Sequence, residues 1–272
     1  HAVTDATGTF NWMEDIFRIL NGLEPIGTSS TASDLELMRS FQKRYRTPFP
    51  HDNLAPSGKP QGNESGLTWK RIDLTGRYKN FLGQVALLAA KEAWKHAQGP
   101  VRFGVPVDLR HRFKGLRSTC NLSISIYIEV KPDTTPEEIA TDVKRQLELG
   151  HDGMIDRWDP LLRFVPESIM ISNYKKLIKE KHSKGLYSSS GILSNVGYVP
   201  AALFSGGGYT SNIGWAVPPS VEVLPVMCAM GSSKDNHAVI IATMPKVLAS
   251  NGRLDHFLDT IAKGLVTAPD KK

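Results

Sequence analysis

Hydrophobic positions along the chain fall into two rhythms. Phe10, Met13, Phe17 and Leu20, with Ile16 beside them, recur at three- and four-residue intervals and predict an amphipathic helix over 9–20. Thr7 or Thr9 is the candidate cap at its start, and Gly22 follows its end. A more polar helix is predicted over 33–45, opening at Ser33 or Asp34. Phe81, Val85, Leu88 and Ala89 share one face of a strong helix over 80–96, widened by Leu82, Ala86 and Ala93 and stopped by Gly99-Pro100. Thr135-Pro136-Glu137-Glu138 reads as a helix start, with proline at the first position and acidic residues in the first turn, and that helix runs to about 149. A further helical segment over 153–181 is broken near Pro160 and Pro166, and a last helix covers 254–265.

The second rhythm alternates. Leu122, Ile124, Ile126, Ile128 and Val130 interleave with Asn121, Ser123, Ser125, Tyr127 and Glu129, so 120–130 is the clearest strand, and its polar face is rich in small side chains. Strands are also predicted over 67–74, 101–107, 191–196, 209–217, 221–230 and 238–244. Helices and strands intermix throughout, as in an α/β (α+β) protein, and neither a repeat nor a heptad array is present. Pro48, Pro50, Pro56, Gly58, Pro60, Gly62 and Gly66 make 47–66 the best linker candidate. It divides the chain into 1–46 and 67–272.

Composition narrows the class. At 272 residues the chain has enough length for a large core or two lobes. With 40% apolar and 22% charged residues it is not a disordered chain. No apolar run approaches a membrane span. The net charge of +6 favours acidic ligands, such as nucleotide phosphates or an acidic carrier protein, without demanding them. Nothing resembles a nucleic-acid motif. Cys120 and Cys228 sit in apolar strand-like runs and read as reduced core thiols, consistent with a cytoplasmic protein, and the histidines show no metal-ligand spacing.

Candidate chemistry lies at the start of the chain, in His1-Ala2-Val3-Thr4-Asp5. In an H-x-x-x-D arrangement the two side chains can flank one tight turn. The imidazole then faces a cavity and, titrating near neutral pH, serves as a general base toward a hydroxyl or amine. The carboxylate turns back into the protein and organises the loop.

Other local patterns follow in one order. After 47–66 come a strand and the helix containing Phe81-Leu82-Gly83-Gln84-Val85. Next are Phe103-Gly104-Val105-Pro106-Val107-Asp108-Leu109-Arg110, and Ser118-Thr119-Cys120-Asn121 leading the alternating strand. Leu193-Ser194-Asn195-Val196-Gly197 then ends a strand, before antiparallel strands and a terminal helix. This succession resembles the HxxxD acyltransferase superfamily, which includes chloramphenicol acetyltransferase, nonribosomal-peptide condensation domains, alcohol acetyltransferases and polyketide-associated acyltransferases. The resemblance spans nearly the whole chain. It implies a chloramphenicol-acetyltransferase-like, two-lobed fold of mixed sheets flanked by helices, with a tunnel between the lobes. Residues 1–46 would be the tail of the first lobe and 67–272 the second. The rest of the first lobe is then expected on a polypeptide partner, covalent or separate, without which the chain is expected to be inactive. Ala6 stands where many relatives carry glycine, and the second histidine that many condensation domains place before the catalytic one is not visible.

The resemblance further implies His1 as the catalytic base and a buried Asp5–Arg110 ion pair, with the guanidinium expected to grip the carboxylate through two parallel hydrogen bonds. Asn121, Ser123, Ser194 and Asn195 are candidates for the oxyanion site or tunnel wall. Blander readings stand beside these. Arg110 lies in a basic stretch with His111, Arg112, Lys114 and Arg117 that would suit a solvated loop, and Ser194–Gly197 would suit a strand-ending turn. Lys175, Lys176, Lys179, Lys181 and Lys184 would meet coenzyme A phosphates or an acidic carrier protein, or simply face water. Gly206-Gly207-Gly208 suits a hairpin or a tunnel rim. The expected activity is acyl transfer from a thioester, acyl-coenzyme A or acyl carrier phosphopantetheine, to a small-molecule hydroxyl acceptor, with no tightly bound cofactor and no metal. Alternatives are a condensation-type enzyme using an acyl carrier protein to form an amide or ester, and a non-catalytic scaffold of the same fold.

Overall fold

A computed structural model of the chain describes residues 4–38, 40, 50, 52–154, 161, 164–212, 214–233 and 236–268. His1, most of the second half of the helix predicted over 33–45, and Pro160 lie outside these residues. The helices are α1 (Ala6–Leu20), α2 (Asp34–Met38), α3 (Phe81–His96), α4 (Pro136–Glu148), α5 (Glu167–Lys184), α6 (Lys246–Ala249) and α7 (Arg253–Gly264). The strands are β1 (Asn53–Leu54), β2 (Leu67–Thr75), β3 (Val101–Asp108), β4 (Ser123–Val130), β5 (Leu186–Tyr187), β6 (Gly191–Tyr198), β7 (Met227–Ser232) and β8 (His237–Pro245).

Six strands form one mixed sheet in the order β2-β8-β7-β6-β3-β4, while β1 and β5 pair separately. β6 runs parallel to both β3 and β7, and the other neighbours are antiparallel. One face of the sheet carries the main core. Val85, Ala86, Ala89 and Ala93 of α3 pack with Phe103, Leu193, Cys228 and Ile240 from the strands, joined by Phe257, Leu258 and Ile261 of α7. The alanine-rich stripe of α3 is what lets a helix lie close against the central strands. α4 opens as its residues dictate, with a reciprocal capping box between Thr135 and Glu138 and Pro136 in the first turn.

α1 lies outside that core. Its Phe17 packs in a small separate cluster with Val199 and Phe204, with Phe10 and Met13 against it. The opposite, open face of β6, β7 and β8 looks toward this cluster across the cleft described below.

Several elements depart from the hydrophobic pattern, each for a visible reason. β4 begins at Ser123 because residues 118–122 are drawn out of the ladder. The Cys120 carbonyl accepts from Arg110, and the Leu122 amide donates to Asp5. Cys120 therefore sits half-buried in a bend instead of inside a strand. The strand predicted over 209–217 is an irregular connection with an isolated bridge between Gly206 and Tyr209, bounded by the glycine run and by Pro218-Pro219. β7 starts only at Met227, after a turn in which Leu224 donates to the Val221 carbonyl. In the region predicted as a broken helix, α5 runs uninterrupted from Glu167 to Lys184, directly after Pro166.

From Asn53 to Ser57 the stretch read as a linker is buried and packed into the protein. The Asn53 amide donates to the Tyr187 and Ser188 carbonyls, and the Arg253 guanidinium donates to the Ser57 and Lys59 carbonyls. Asn53 thus ties the stretch to the end of β5, and Arg253 satisfies two of its own carbonyls.

Candidate active site

The site is organised by one carboxylate. Asp5 has extended backbone and caps α1, its Oδ1 accepting the Gly8 amide at 2.7 Å. Neither Thr7 nor Thr9 takes that place; the Thr9 hydroxyl instead donates to the Asp5 carbonyl at 2.9 Å. Gly8 is required by close approach, since a Cβ there would lie 2.6 Å from the Thr119 carbonyl oxygen. The helix start is thereby pressed onto the 118–122 segment, and Asn11 ties it further by donating to the Ser118 carbonyl at 3.0 Å.

The other Asp5 oxygen, Oδ2, accepts from Arg110 Nη1 at 2.9 Å and from the Leu122 amide at 2.7 Å. Asp5 is 4% and Arg110 7% exposed, so the pair is internal, not part of a solvated loop. The grip differs from the two-armed one expected. Arg110 gives Asp5 a single arm, and the same Nη1 also donates to Asp108 at 2.7 Å. Nε goes to the Ser118 carbonyl at 3.1 Å and Nη2 to the Cys120 carbonyl at 2.5 Å. The guanidinium is wrapped by its own connection because β3 turns through Leu109–Arg112 and returns as β4. Burial alone would lower the Arg110 pKa. The hydrogen bonds and charges of Asp5 and Asp108 outweigh it and hold the group above its ordinary value.

Two more residues of the basic stretch, Arg112 and Arg117, are likewise internal staples. Arg117 pairs with Glu14 and Asp15 of α1 at 3.2 and 3.0 Å and donates to the Asn11 carbonyl at 2.8 Å. Arg112 reaches the fully buried Asp152 at 2.7 Å. Asp108 and Arg117 are the site residues that sequence reasoning passed over. The signal for Asp108 was its place two residues before Arg110, and that for Arg117 the acidic pair Glu14-Asp15 on α1 that it meets.

Asp5, with Thr4 and Thr9, forms the polar end of a cleft of about 870 Å³. One wall is α1, through Phe10, Met13 and Phe17. The floor is the open sheet face, and the roof is the connection between β6 and β7, including Phe204, Tyr209 and Trp215. The roof is pinned at both ends. Tyr209 stacks on Phe17 with ring centroids 5.7 Å apart, while Trp215 lies against Trp69 at 5.8 Å and under the Arg71 guanidinium at 4.9 Å. The glycine run 206–208 therefore serves a rim turn.

Of the remaining candidates, Ser194 lines this cleft. Asn195, the next residue on β6, faces the other side of the sheet, as strand alternation requires. It lines a separate recess of about 440 Å³ with Arg77, Tyr198 and His237, and its Oδ1 accepts the Gly197 amide at 3.0 Å. Asn121 and Ser123 are half-buried and outside the cleft lining; the Asn121 side chain accepts the Ser123 amide at 3.3 Å, stabilising the bend around Arg110. The lysines of α5 lie along a helix with no buried residue and do not line the cleft. Among the described residues no cluster of three or more histidine, cysteine or acidic side chains could hold a metal, and no helix is long and apolar enough to cross a membrane.

The fold has counterparts of known structure. The chain superposes on the condensation domain of the monacolin K polyketide synthase MokA with a TM-score of 0.54, at 11% identity over 96% of this chain and 66% of that one. The first condensation domain of the calcium-dependent antibiotic synthetase, in complex with a substrate analogue, gives 0.52 at 11% identity over 97% and 61%. The starter condensation domain of the rhizomide synthetase, in complex with C8-CoA and Leu-SNAC, gives 0.52 at 10% identity over 97% and 63%. No family model and no curated protein sequence matches the chain. The fold is that of the condensation domains, the chloramphenicol-acetyltransferase-like fold that the motif order implied. The chain spans 61–66% of the length of these three domains.

Proposed function

We propose that the protein transfers an acyl group from a thioester to a hydroxyl acceptor, with His1 as the general base. The observation that carries this reading is the state of Asp5. Its oxygens are held by two backbone amides and Arg110, so it is a fixed anchor at the polar end of an apolar cleft and not itself a proton carrier. In that reading Asp5 fixes the segment that carries His1. The imidazole accepts the acceptor's proton as its oxygen attacks the thioester carbonyl carbon. The tetrahedral oxyanion then collapses, and the departing thiolate takes the proton back from the imidazolium. Ser194, which lines the cleft floor, is the proposed donor to the oxyanion, an effect of about 3 kcal/mol for one good donor. Asn195 is assigned to the turn ending β6, and Asn121 and Ser123 to support of Arg110.

The donor proposed is acyl-coenzyme A, as a substrate and not a resident cofactor. A carrier-bound donor, with amide or ester formation, is the second reading, favoured by the likeness to condensation domains. The test is His1→Ala in the full-length protein, assayed with acyl-coenzyme A and with acyl-loaded carrier protein. Transfer is expected to fall by about 10²–10⁴ with an unchanged circular dichroism melt, the usual loss when a general base is removed. Wild-type turnover in the folded variant would remove His1 from the chemistry. The donor that turns over decides between the two readings.

A further inference from the structure

Resting on the acyl-transfer reading, we infer that the cleft receives the acyl group itself and that this group is an uncharged apolar chain of medium length, with Ala229 on β7 and Trp215 in the roof setting how much of it fits. The lining excludes a charged acyl group. Asp5 is its one charged residue among those described, and that carboxylate is already occupied by Arg110, Gly8 and Leu122. A terminal carboxylate or ammonium inside would be desolvated with no ion to meet it. Beyond the polar end the walls are phenylalanine, methionine, valine, isoleucine, proline and tryptophan, broken only by the Ser194, Ser211 and Tyr209 hydroxyls. The volume matches sites that bury a drug-sized ligand, roughly 300–1,000 Å³, and is far larger than an acetyl group fills.

Strand register shows where the room comes from. Ser194 of β6, Ala229 of β7 and Ile241 of β8 stand side by side across the sheet, and the next cleft-facing position on β7 is Gly231, paired with Val239. Ala229, smaller than Ile241 beside it, leaves a trough in the floor there, while Val196 lies against Gly231. Trp215, held by Trp69 and Arg71 of β2, lines the same cleft from the roof. Leucine at 229 would fill the trough, and alanine at 215 would unroof it.

Equilibrium binding to the full-length protein is measured for N-acetylcysteamine thioesters of acetate, hexanoate, octanoate and succinate, which carry the acyl group without a nucleotide or carrier. Affinity is expected to rise from acetyl to octanoyl by up to about fourfold per methylene buried. Succinyl is expected to bind no better than acetyl. Ala229→Leu is expected to weaken octanoyl by roughly tenfold, the burial of about one to two methylenes, and so to flatten the rise from acetyl to octanoyl. Trp215→Ala, on an exposed connection, is expected to flatten the same length dependence and carries the comparison if the β7 variant does not fold. A wild-type series flat with length, succinyl bound as tightly as hexanoyl, or length dependence unchanged in the folded variants would each overturn the inference. Turnover in the same series is read separately: graded binding with no transfer to any acceptor would leave the acyl pocket and remove the transferase reading.

Discussion

Asp5 holds three parts of the chain together. Its carboxylate closes the first turn of α1, pins the bend ahead of β4 and neutralises Arg110. Removing Arg110 strands the buried Asp5 carboxylate, at a cost of about 3–5 kcal/mol. Removing Asp5 takes from Arg110 the more buried of its two carboxylates and leaves it Asp108, and removing both leaves neither charge of the Asp5–Arg110 contact. Asp5→Ala and Arg110→Ala are therefore each expected to lower both stability and activity, and the double variant to lose less stability than the sum of the two. Arg110→Lys is expected to rescue little, because an ammonium cannot meet two carboxylates and two carbonyls in the fixed directions of a guanidinium. Denaturant melts of the four proteins decide the matter; strictly additive losses would mean that the two charges are uncoupled.

At the scale of elements, α1 is attached by polar staples and a small aromatic cluster, not by the main core. Asp15 is its acidic anchor, accepting the Ile26 and Gly27 amides at 2.9 and 3.1 Å and pairing with Arg117. Partial burial pushes its pKa up, but those amides and Arg117 more than offset this and hold it below its ordinary value of 3.8. A lowered folded-state pKa means that its stabilisation is complete above that ordinary value and is lost as pH falls through the folded one. Asp15→Asn is accordingly expected to melt below wild type at about pH 7, with the deficit shrinking as pH falls below about 4. A deficit that persists undiminished in acid would show that packing, not charge, holds the helix there.

Across the whole molecule, the sheet divides two environments. Its helix-covered face is dry, and Cys228 lies at its centre with burial driving the thiol up to about 12. The thiolate is the reactive form, so this cysteine is expected to be inert while the fold is intact. A thiol-specific reagent should therefore find at most one reactive group in the native protein, Cys120, and both of the two cysteines in denaturant. Rapid modification of Cys228 under native conditions would mean that β7 opens far more readily than its place in the sheet allows. The opposite face keeps the open cleft, which is where the proposed chemistry lies.

The sequence alone determined what depends on neighbours along the chain. Periodicity marked α1, α3, α4, α7 and most of the sheet, because an apolar face must repeat at the pitch of its own helix or strand. The Thr135–Glu138 cap and the stop of α3 near Gly99-Pro100 were legible because capping acts over a few residues. Motif order was enough to anticipate the fold and the Asp5–Arg110 pairing. Tertiary structure decided everything set by distant partners. Asp5, not a threonine, became the cap of α1 because Arg110 and Leu122 hold it at the helix start. Residues 120–122 left the predicted strand because Arg110 takes the Cys120 carbonyl and Asp5 the Leu122 amide. The stretch at 53–59 is held because Asn53 reaches the Tyr187 and Ser188 carbonyls and Arg253 reaches those of Ser57 and Lys59. Ser194 and Asn195, adjacent in sequence, were sent to opposite faces, so only one of them lines the cleft. Local pattern records which side chains want burial; only the assembled sheet, by register and by where its charges find partners, decides which of them meet.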